Sequence, residues 1–304
     1  MIPMSEYDEK AFDKFRLSGR ILRETREEIK TSVHEGMPII EICEKAENLI
    51  RKKGGKPAFP CNVSINEIAA HYTSPPDDRK RIPEKSVVKV DIGAHVDGYV
   101  TDTAVTICFN PEHESLVDTA ERALEAAIKS VQPGMATGKL GATIENAIKT
   151  RGFKPISNLC GHQIGRYIIH TGTSIPNVPQ LSFSKFKPGG IYAIEPFVTT
   201  ANAAGRVENG DEATIFRFVK SRPLAGPHAK KLLKHVEDNF KTLPFAERWL
   251  QGIVPEENRR EAFQELLKSK ALMEYPVFVE ASRQTVAQAE HTVLIVKDGC
   301  TVLT

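Results

Sequence analysis

Residues 125–155, EAAIKSVQPGMATGKLGATIENAIKTRGFKP, are a second copy of residues 27–57, EEIKTSVHEGMPIIEICEKAENLIRKKGGKP. The two stretches align without a gap at an offset of 98, with 11 identities in 31 positions. Shared helical composition does not place Gly36-Met37 and Gly134-Met135, Glu47-Asn48 and Glu145-Asn146, and Lys56-Pro57 and Lys154-Pro155 at one common offset. The chain therefore reads as a duplication, which governs every later assignment. Inside each copy the period is helical. Leu116, Ala120, Leu124, Ala127, Ile128 and Val131 form an apolar stripe along 111–132. Asn110-Pro111 supplies an N-cap and an N1 proline, and Pro133-Gly134 supplies the stop. Ser5 with Asp8 predicts a capping box opening the matching helix of the first copy. Second helices are predicted over 39–53 and 137–151, closed by Gly54-Gly55 and Gly152.

After each helical pair the period changes to that of strands. VVKVDIG (87–93) and YVTDTAVTICF (99–109) are rich in β-branched residues and flank Asp97-Gly98, a strong hairpin signal. Across a two-residue turn, opposed residues have numbers with an odd sum. Asp91 and Asp102 meet that condition, so they share one face, either opposite or one diagonal step apart. Like charges so placed repel, and buried carboxylates that close need a cation or a shared proton. The second copy offers a matching pair. Glu195 lies in GIYAIEPFVTT (190–200), predicted as one strand, where Asp91 lies in the first copy. Glu290 precedes HTVLIV (291–296), another strand, where Asp102 precedes TAVTI. Halves packed about a pseudo-two-fold axis would bring four carboxylates to one centre, a charge that two divalent metals neutralise formally. His162, in SNLCGHQIGRYIIH, is a candidate nitrogen ligand, and His71 and His170 are related by nearly the same offset as the duplication. His34, His95, His113, His228, His235 and His291 stand in helical, turn or surface-like contexts and are given no site role. Carboxylates with one imidazole suit Mn, Fe, Co or Zn rather than a thiolate-bound structural zinc.

Between the last two strands the chain inserts a polar, helix-like stretch within 226–274, HAKKLLKHVEDNFKTLPFAERWLQ followed by PEENRREAFQELLKSKALM, which lacks the repeat. The expected organisation is one duplicated catalytic domain, 1–222 with 275–304, interrupted by a helical insertion over 223–274. With 304 residues, 40% hydrophobic and 26% charged, the composition excludes a disordered chain. A net charge of +2 gives no reason to expect a nucleic-acid or acidic-membrane partner. No apolar run approaches the ~20 residues of a membrane span. The start, MIPMSEYDEK, carries no signal-peptide pattern. Cys43, Cys61, Cys108, Cys160 and Cys300 are odd in number and form no CxxC pair, so they read as reduced thiols of a cytoplasmic protein.

Five strings in this order, FPCNVSINEIAAH (59–71), VDIGAHVDGYVTDTA (90–104), SNLCGHQIGRYIIH (157–170), AIEPF (193–197) and QAEHTVLI (288–295), resemble those of type 2 methionine aminopeptidases. The resemblance covers essentially the whole chain, including the insertion that separates type 2 from type 1, and the short N-terminus is similar to that of archaeal members. It implies an α+β pita-bread fold: a curved antiparallel sheet under helices, in two pseudo-symmetric halves. It implies two divalent metal ions, with Asp91 on one, Asp102 and Glu290 bridging both, and His162 and Glu195 completing the coordination of the other. Phe59, Ile169, Phe197 and Tyr275 match positions that line the methionine pocket.

By the same resemblance a metal-bridged hydroxide attacks the first peptide bond, the type of chemistry supplied by paired ions ~3.5–4 Å apart. Glu195 would be the general base, His170 would stabilise the oxyanion, and His71 would contact the scissile amide nitrogen. The implied reaction removes the N-terminal methionine of nascent polypeptides, with a small second residue preferred. A monomer that meets the ribosome and has no membrane partner is expected. A proline dipeptidase shares the ligands, and only the flanking strings and the insertion argue against it. A non-catalytic protein- or RNA-binding relative would have lost ligands that this chain keeps. An unrelated dimetal phosphoesterase finds no Gly-rich phosphate cradle here.

Overall fold

The computed structural model describes residues 7–304. The first helix, α1 (Glu9–Ser32), is capped by Asp8, whose carboxylate accepts the Ala11 N–H at 2.8 Å. Ser5 of the expected capping box lies outside the described residues, and Asp8 takes the N-cap position itself. Helix α2 (Ile39–Lys52) follows, then β1 (Lys56–Ile65), β2 (Ile68–Ala70), β3 (Val87–Val96) and β4 (Tyr99–Cys108). The second copy begins with a 3-10 turn at Pro111–His113, capped by the Asn110 side chain as expected. Helices α3 (Glu114–Ser130) and α4 (Thr137–Lys149) then run close to the predicted limits. Next come β5 (Lys154–Pro155), β6 (Cys160–Ile164), β7 (Ser174–Pro176), β8 (Ile191–Ile194), β9 (Phe197–Thr199) and β10 (Val207–Phe218). The chain continues through α5 (Pro227–Phe240), β11 (Phe245–Ala246), a 3-10 turn at Glu247–Leu250 and α6 (Glu256–Lys268). It ends with β12 (Leu272–Glu280), β13 (Val286–Gln288), β14 (Glu290–Val296) and β15 (Gly299–Val302).

The principal sheet is antiparallel in the order β1-β3-β4-β14-β8-β6-β7, with β15 added on β14. Its centre lies between β4 and β14, and the order outward on either side repeats: β3 then β1 in the first half, β8 then β6 in the second. This is the pseudo-two-fold arrangement the duplication predicts. Each helical pair covers its own half. Ile21, Leu22, Ile29, Ile42 and Ile50 pack with Val63, Val88, Val90 and Ile92. Leu116, Ala120, Leu124, Leu140 and Ile144 pack with Tyr192, Ile194 and Val293. Burying each of the Val, Leu and Ile side chains stabilises the fold by about 1.5–3 kcal/mol. The hairpin closes on Asp97 and Gly98 with φ of 52° and 88°, the doubly left-handed turn that Asp-Gly favours. A Cβ at Gly98 would also stand 2.2 Å from the Tyr167 ring.

Two expectations need correction. GIYAIEPFVTT is not one strand: it breaks at Glu195-Pro196, leaving β8 in the principal sheet and β9 in a three-stranded sheet with β5 and β13. Pro196 has no N–H for a continuing ladder, so the break is chemical in origin. HAKKLLKHVEDNFKTLPFAERWLQ is α-helical only to Phe240, with a single 3-10 turn at Glu247–Leu250. Lys241 then takes a φ of 56°, and Phe245-Ala246 pair with β10 as strand β11. The α5–α6 segment has its own core of Leu232, Leu233, Val236, Phe263 and Leu266. The five cysteines are free, as expected.

Candidate metal centre and its cavity

The β3–β4 register sets the first two carboxylates. Asp91 pairs with Ala104 and Asp102 with Gly93, so the two acids share a face one diagonal step apart. A Cβ at position 93 would lie 2.2 Å from the Phe59 ring, which explains the glycine opposite Asp102. Across the centre of the sheet Glu290 also pairs with Ala104, one diagonal step from Asp102 on the other side. Thr292 stands directly beside Asp102. Its hydroxyl accepts the Asp102 N–H at 2.7 Å, and the Thr292 Oγ1 to Asp102 carbonyl separation is 2.8 Å. Glu195 follows β8 at the break before Pro196. His162 lies on β6 in register with Ala193, its Nε2 3.7 Å from Asp102 Oδ2 and 3.6 Å from Glu195 Oε1.

Ligand-type atoms of Asp102, His162 and Glu290 fall within 4.8 Å of one another, and all three residues are buried. Burial pushes the Asp91 carboxyl up to about 7. Asp102, Glu195 and Glu290 are driven well above the ordinary carboxylate range, first by burial and then by neighbouring carboxylates: Asp91 on Asp102, and chiefly Asp102 on Glu195 and Glu290. Burial, with His170 nearby, pushes His162 down, toward the neutral imidazole that a metal requires. Among the described residues, Asp91 Oδ1, Asp102 Oδ1, His162 Nδ1 and Glu290 Oε2 are buried without a hydrogen-bond partner. Buried polar atoms are normally paired, so the three unpartnered carboxylate oxygens fit a divalent cation. The hard oxygen and imidazole donors accord with the sequence-based expectation.

The centre opens into a cavity of about 270 Å³. Every residue predicted for the site lines it: Asp91, Asp102, His162, Glu195 and Glu290, the histidines His71 and His170, and the apolar Phe59, Ile169, Phe197 and Tyr275. His71 holds a φ of 67°, a strained conformation for a residue with a Cβ. Its Nδ1 lies 3.2 Å from the Pro276 carbonyl, which can only accept, so the proton is assigned to Nδ1. Burial lowers the His71 pKa to about 4. The His170 ring is centred 4.1 Å from that of His162, and burial lowers its pKa as well.

Sequence reasoning missed several neighbours. Gln288 donates its side-chain N–H to Glu195 Oε2 at 3.5 Å and also reaches Asp91. The signal for it is its place two residues before Glu290. Asn62 stands across the sheet from Asp91 on β1, and its Oδ1 likewise has no partner among the described residues. Ile215, Pro244 and Phe278 complete the apolar wall, and nothing local in the sequence marks them.

The family model of metallopeptidase family M24 matches residues 13–296. The chain is 40% identical over 298 residues to the methionine aminopeptidase of Methanothermobacter thermautotrophicus, covering 97% of this chain and 99% of the relative. Among solved structures it is similar to a thermophilic Arx1, with a TM-score of 0.84 at 19% identity over 98% of this chain and 91% of the other. It is similar also to a methionine aminopeptidase from Thermotoga maritima, with a TM-score of 0.71 at 22% identity over 100% and 99% of the two chains. These structural likenesses bear on the fold, which is the expected α+β pita-bread fold. With its match spanning nearly all of the duplicated sheet, this chain belongs to metallopeptidase family M24.

Proposed function

We propose that this chain removes the N-terminal methionine from polypeptides, with preference for a small second residue. One observation carries the reading: four carboxylates, Asp102 and Glu290 buried and Asp91 and Glu195 half-buried, share a single cavity with a neutral imidazole and with Phe59, Ile169, Phe197 and Tyr275. Hydrolytic chemistry and an apolar first side chain are served in one place, and a thioether against aromatic rings is a favourable contact. Homology to methionine aminopeptidases along the whole chain supports it.

Asp91, Asp102, His162, Glu195 and Glu290 would hold two divalent ions of the Mn, Fe, Co or Zn type. When bound, such ions supply Lewis acidity and a hydroxide nucleophile near neutral pH. Glu195 acts as general base, taking the proton of the attacking water and passing it to the leaving amine. Gln288 holds one oxygen of that carboxylate and so fixes its orientation at the centre. His71, neutral and protonated on Nδ1, presents Nε2 as the acceptor for the scissile N–H. His170 donates to the carbonyl oxygen as negative charge develops there. Residues 1–222 and 275–304 form the catalytic domain and 223–274 the insertion. The chain acts in the cytoplasm as a monomer on nascent polypeptides, in contact with the ribosome.

The test is to strip the protein of metal and reload it separately with Mn, Fe, Co or Zn. Release of methionine from a Met-Ala-Ser peptide is expected with at least one ion. Exclusive cleavage of a Met-Pro dipeptide would assign a proline dipeptidase. Failure to retain any divalent ion would favour a binding protein.

A further inference from the structure

One buried ion pair takes no part in the chemistry above. Glu47 on α2 and Arg248 in the 3-10 turn after β11 are 2% and 6% exposed, and the Arg248 guanidinium donates through Nη2 to Glu47 Oε1. Glu47 also accepts the Cys61 backbone N–H at 3.1 Å and the Trp249 indole N–H at 2.7 Å. The other guanidinium nitrogen, Nη1, reaches Thr73 Oγ1 at 2.9 Å and the Ser74 carbonyl at 3.0 Å. A densely bonded network of this kind fixes one arrangement of the elements it joins. Its counterpart in the duplication is unlike it: Glu145 makes an i,i+4 pair with Lys149 on a solvated helix face. The acid common to both copies is thus bound to the α5–α6 segment in the first half alone.

The segment it holds, residues 242–249, runs over the cavity. At its start the Thr242 hydroxyl donates to the Tyr167 carbonyl, in the turn that leads to Ile169 and His170. Leu243 is 3% exposed and packs in one cluster with Phe59 and Ile169. Pro244 lines the cavity, and Phe245-Ala246 pair with Phe216 and Ile215, the latter also a lining residue. Arg248 and Trp249 then anchor the far end to the first half, beside the strand that bears Phe59 and Asn62. The strap therefore joins the two halves, with one proline as part of the cavity wall.

We propose that residues 242–249 form a strap that sets the size of the apolar part of the cavity, and that Glu47 and Arg248 are positioning residues that hold Pro244 against the first side chain of the substrate. The strap selects methionine over longer or bulkier first residues. This rests on the aminopeptidase reading, and the wild-type control separates the two. If the wild-type protein releases no methionine, the function is wrong, and the fluorescence measurement below still reports on the strap.

The experiment uses the full chain loaded with the most active metal. Trp249 is the single tryptophan and is itself bonded to Glu47, so acrylamide quenching of its fluorescence reports strap docking without substrate. Arg248→Met should raise the quenching constant at least twofold. It should also narrow the ratio of kcat/KM for Met-Ala-Ser over Phe-Ala-Ser by at least tenfold. Because Arg248→Met leaves a buried carboxylate unpaired and can prevent folding, the double variant Glu47→Gln, Arg248→Met is measured beside it, since replacing both partners of a buried pair is far better tolerated. Pro244→Gly, which leaves the ion pair intact, should narrow the same ratio with quenching unchanged, and it decides the matter if neither pair variant folds. Folded pair variants with unchanged quenching would overturn the positioning role. Undiminished discrimination in Pro244→Gly, or in a pair variant whose strap is loosened, would overturn the strap as the wall that selects methionine.

Discussion

Asp91 and Glu290 face the same residue, Ala104, from opposite sides of β4, although one belongs to each half of the chain. Asp102, two residues along β4, points to the same face, so three carboxylates form a triangle around a small side chain. Strand pairing alone brings them there. Such a cluster costs stability unless a cation joins it, because each charge is desolvated and repelled by the others.

The sign of that cost is testable by neutralising one member. In the presence of a chelator, Asp102→Asn is expected to unfold a few degrees above the wild-type protein, since it removes a buried carboxylate with an unpartnered oxygen. With saturating Mn the order reverses. The wild-type protein gains about 2.7 kcal/mol at a hundredfold excess over Kd, and the variant gains little. Thermal unfolding with and without metal reads both arms, and a variant less stable than the wild type in chelator would refute the account.

Glu195→Gln tests the proposed proton carrier, and because Glu195 is also one of the residues that would hold the ions, bound metal is measured beside activity. The amide keeps the shape of the carboxylate and its bond with Gln288, but it cannot take a proton. A fall in kcat of roughly 10²–10⁴ is expected, with the far-ultraviolet spectrum and unfolding temperature little changed. Activity within a few-fold of the wild type would remove Glu195 from that role.

The parts legible in the sequence are those decided locally. A two-residue turn and a period of two suffice to place Asp91 and Asp102 on one face, and the repeat carries that logic to Glu195 and Glu290. Helices α2, α3 and α4 follow from apolar stripes and stop signals of the same local kind. The rest depends on contacts between distant residues. TLPFAERWLQ carries helix-forming residues, yet it forms no α-helix: Phe245-Ala246 pair with the edge that β10 offers, and a single 3-10 turn over Glu247–Leu250 brings Arg248 to Glu47, a buried partner 201 positions away. Pro244, Ile215 and Phe278 look like ordinary apolar residues, and only the closed fold turns them toward a cavity. Gln288 stands within QAEHTVLI, but an amide beside an acid carries no motif of its own, so its hold on Glu195 emerges only when β13 pairs with β9, opposite Phe197.

Selectivity for the second residue tests the size of the site. A cavity of about 270 Å³ is smaller than the ~300–1,000 Å³ that holds drug-sized ligands, which leaves little room beyond the first side chain. Met-Ala peptides are therefore expected to show kcat/KM at least about tenfold above Met-Arg peptides, a gap of roughly 1.4 kcal/mol. Equal rates would mean that the second side chain projects freely into solvent.

Acid stability gives a last prediction, away from the metal centre. His95 is 7% exposed, and its Nδ1 accepts the Gly98 N–H at 3.0 Å inside the hairpin turn. Burial, and then the nearby Lys56, lowers its pKa from the ordinary 6.5 to about 4. The folded state thus binds fewer protons than the unfolded chain between these values. The stabilisation is complete above pH ~6.5 and is lost as pH falls to about 4, with a slope of up to about 1.4 kcal/mol per pH unit. Protonated Nδ1 cannot accept from Gly98, and that turn is where Tyr167 docks, its N–H donating to the Gly98 carbonyl at 2.7 Å. His71 and His291, also lowered to about 4, add slopes of the same sign, and the raised carboxylates Asp91, Asp102, Glu195 and Glu290 add slopes of the opposite sign, so the His95 part must be read as a difference between proteins. In His95→Gln an amide oxygen can take the Gly98 N–H without titrating. Urea unfolding at half-unit steps from pH 7 to 4 should show a shallower decline for the variant than for the wild type. Parallel curves would mean that His95 is already free to protonate in the folded protein.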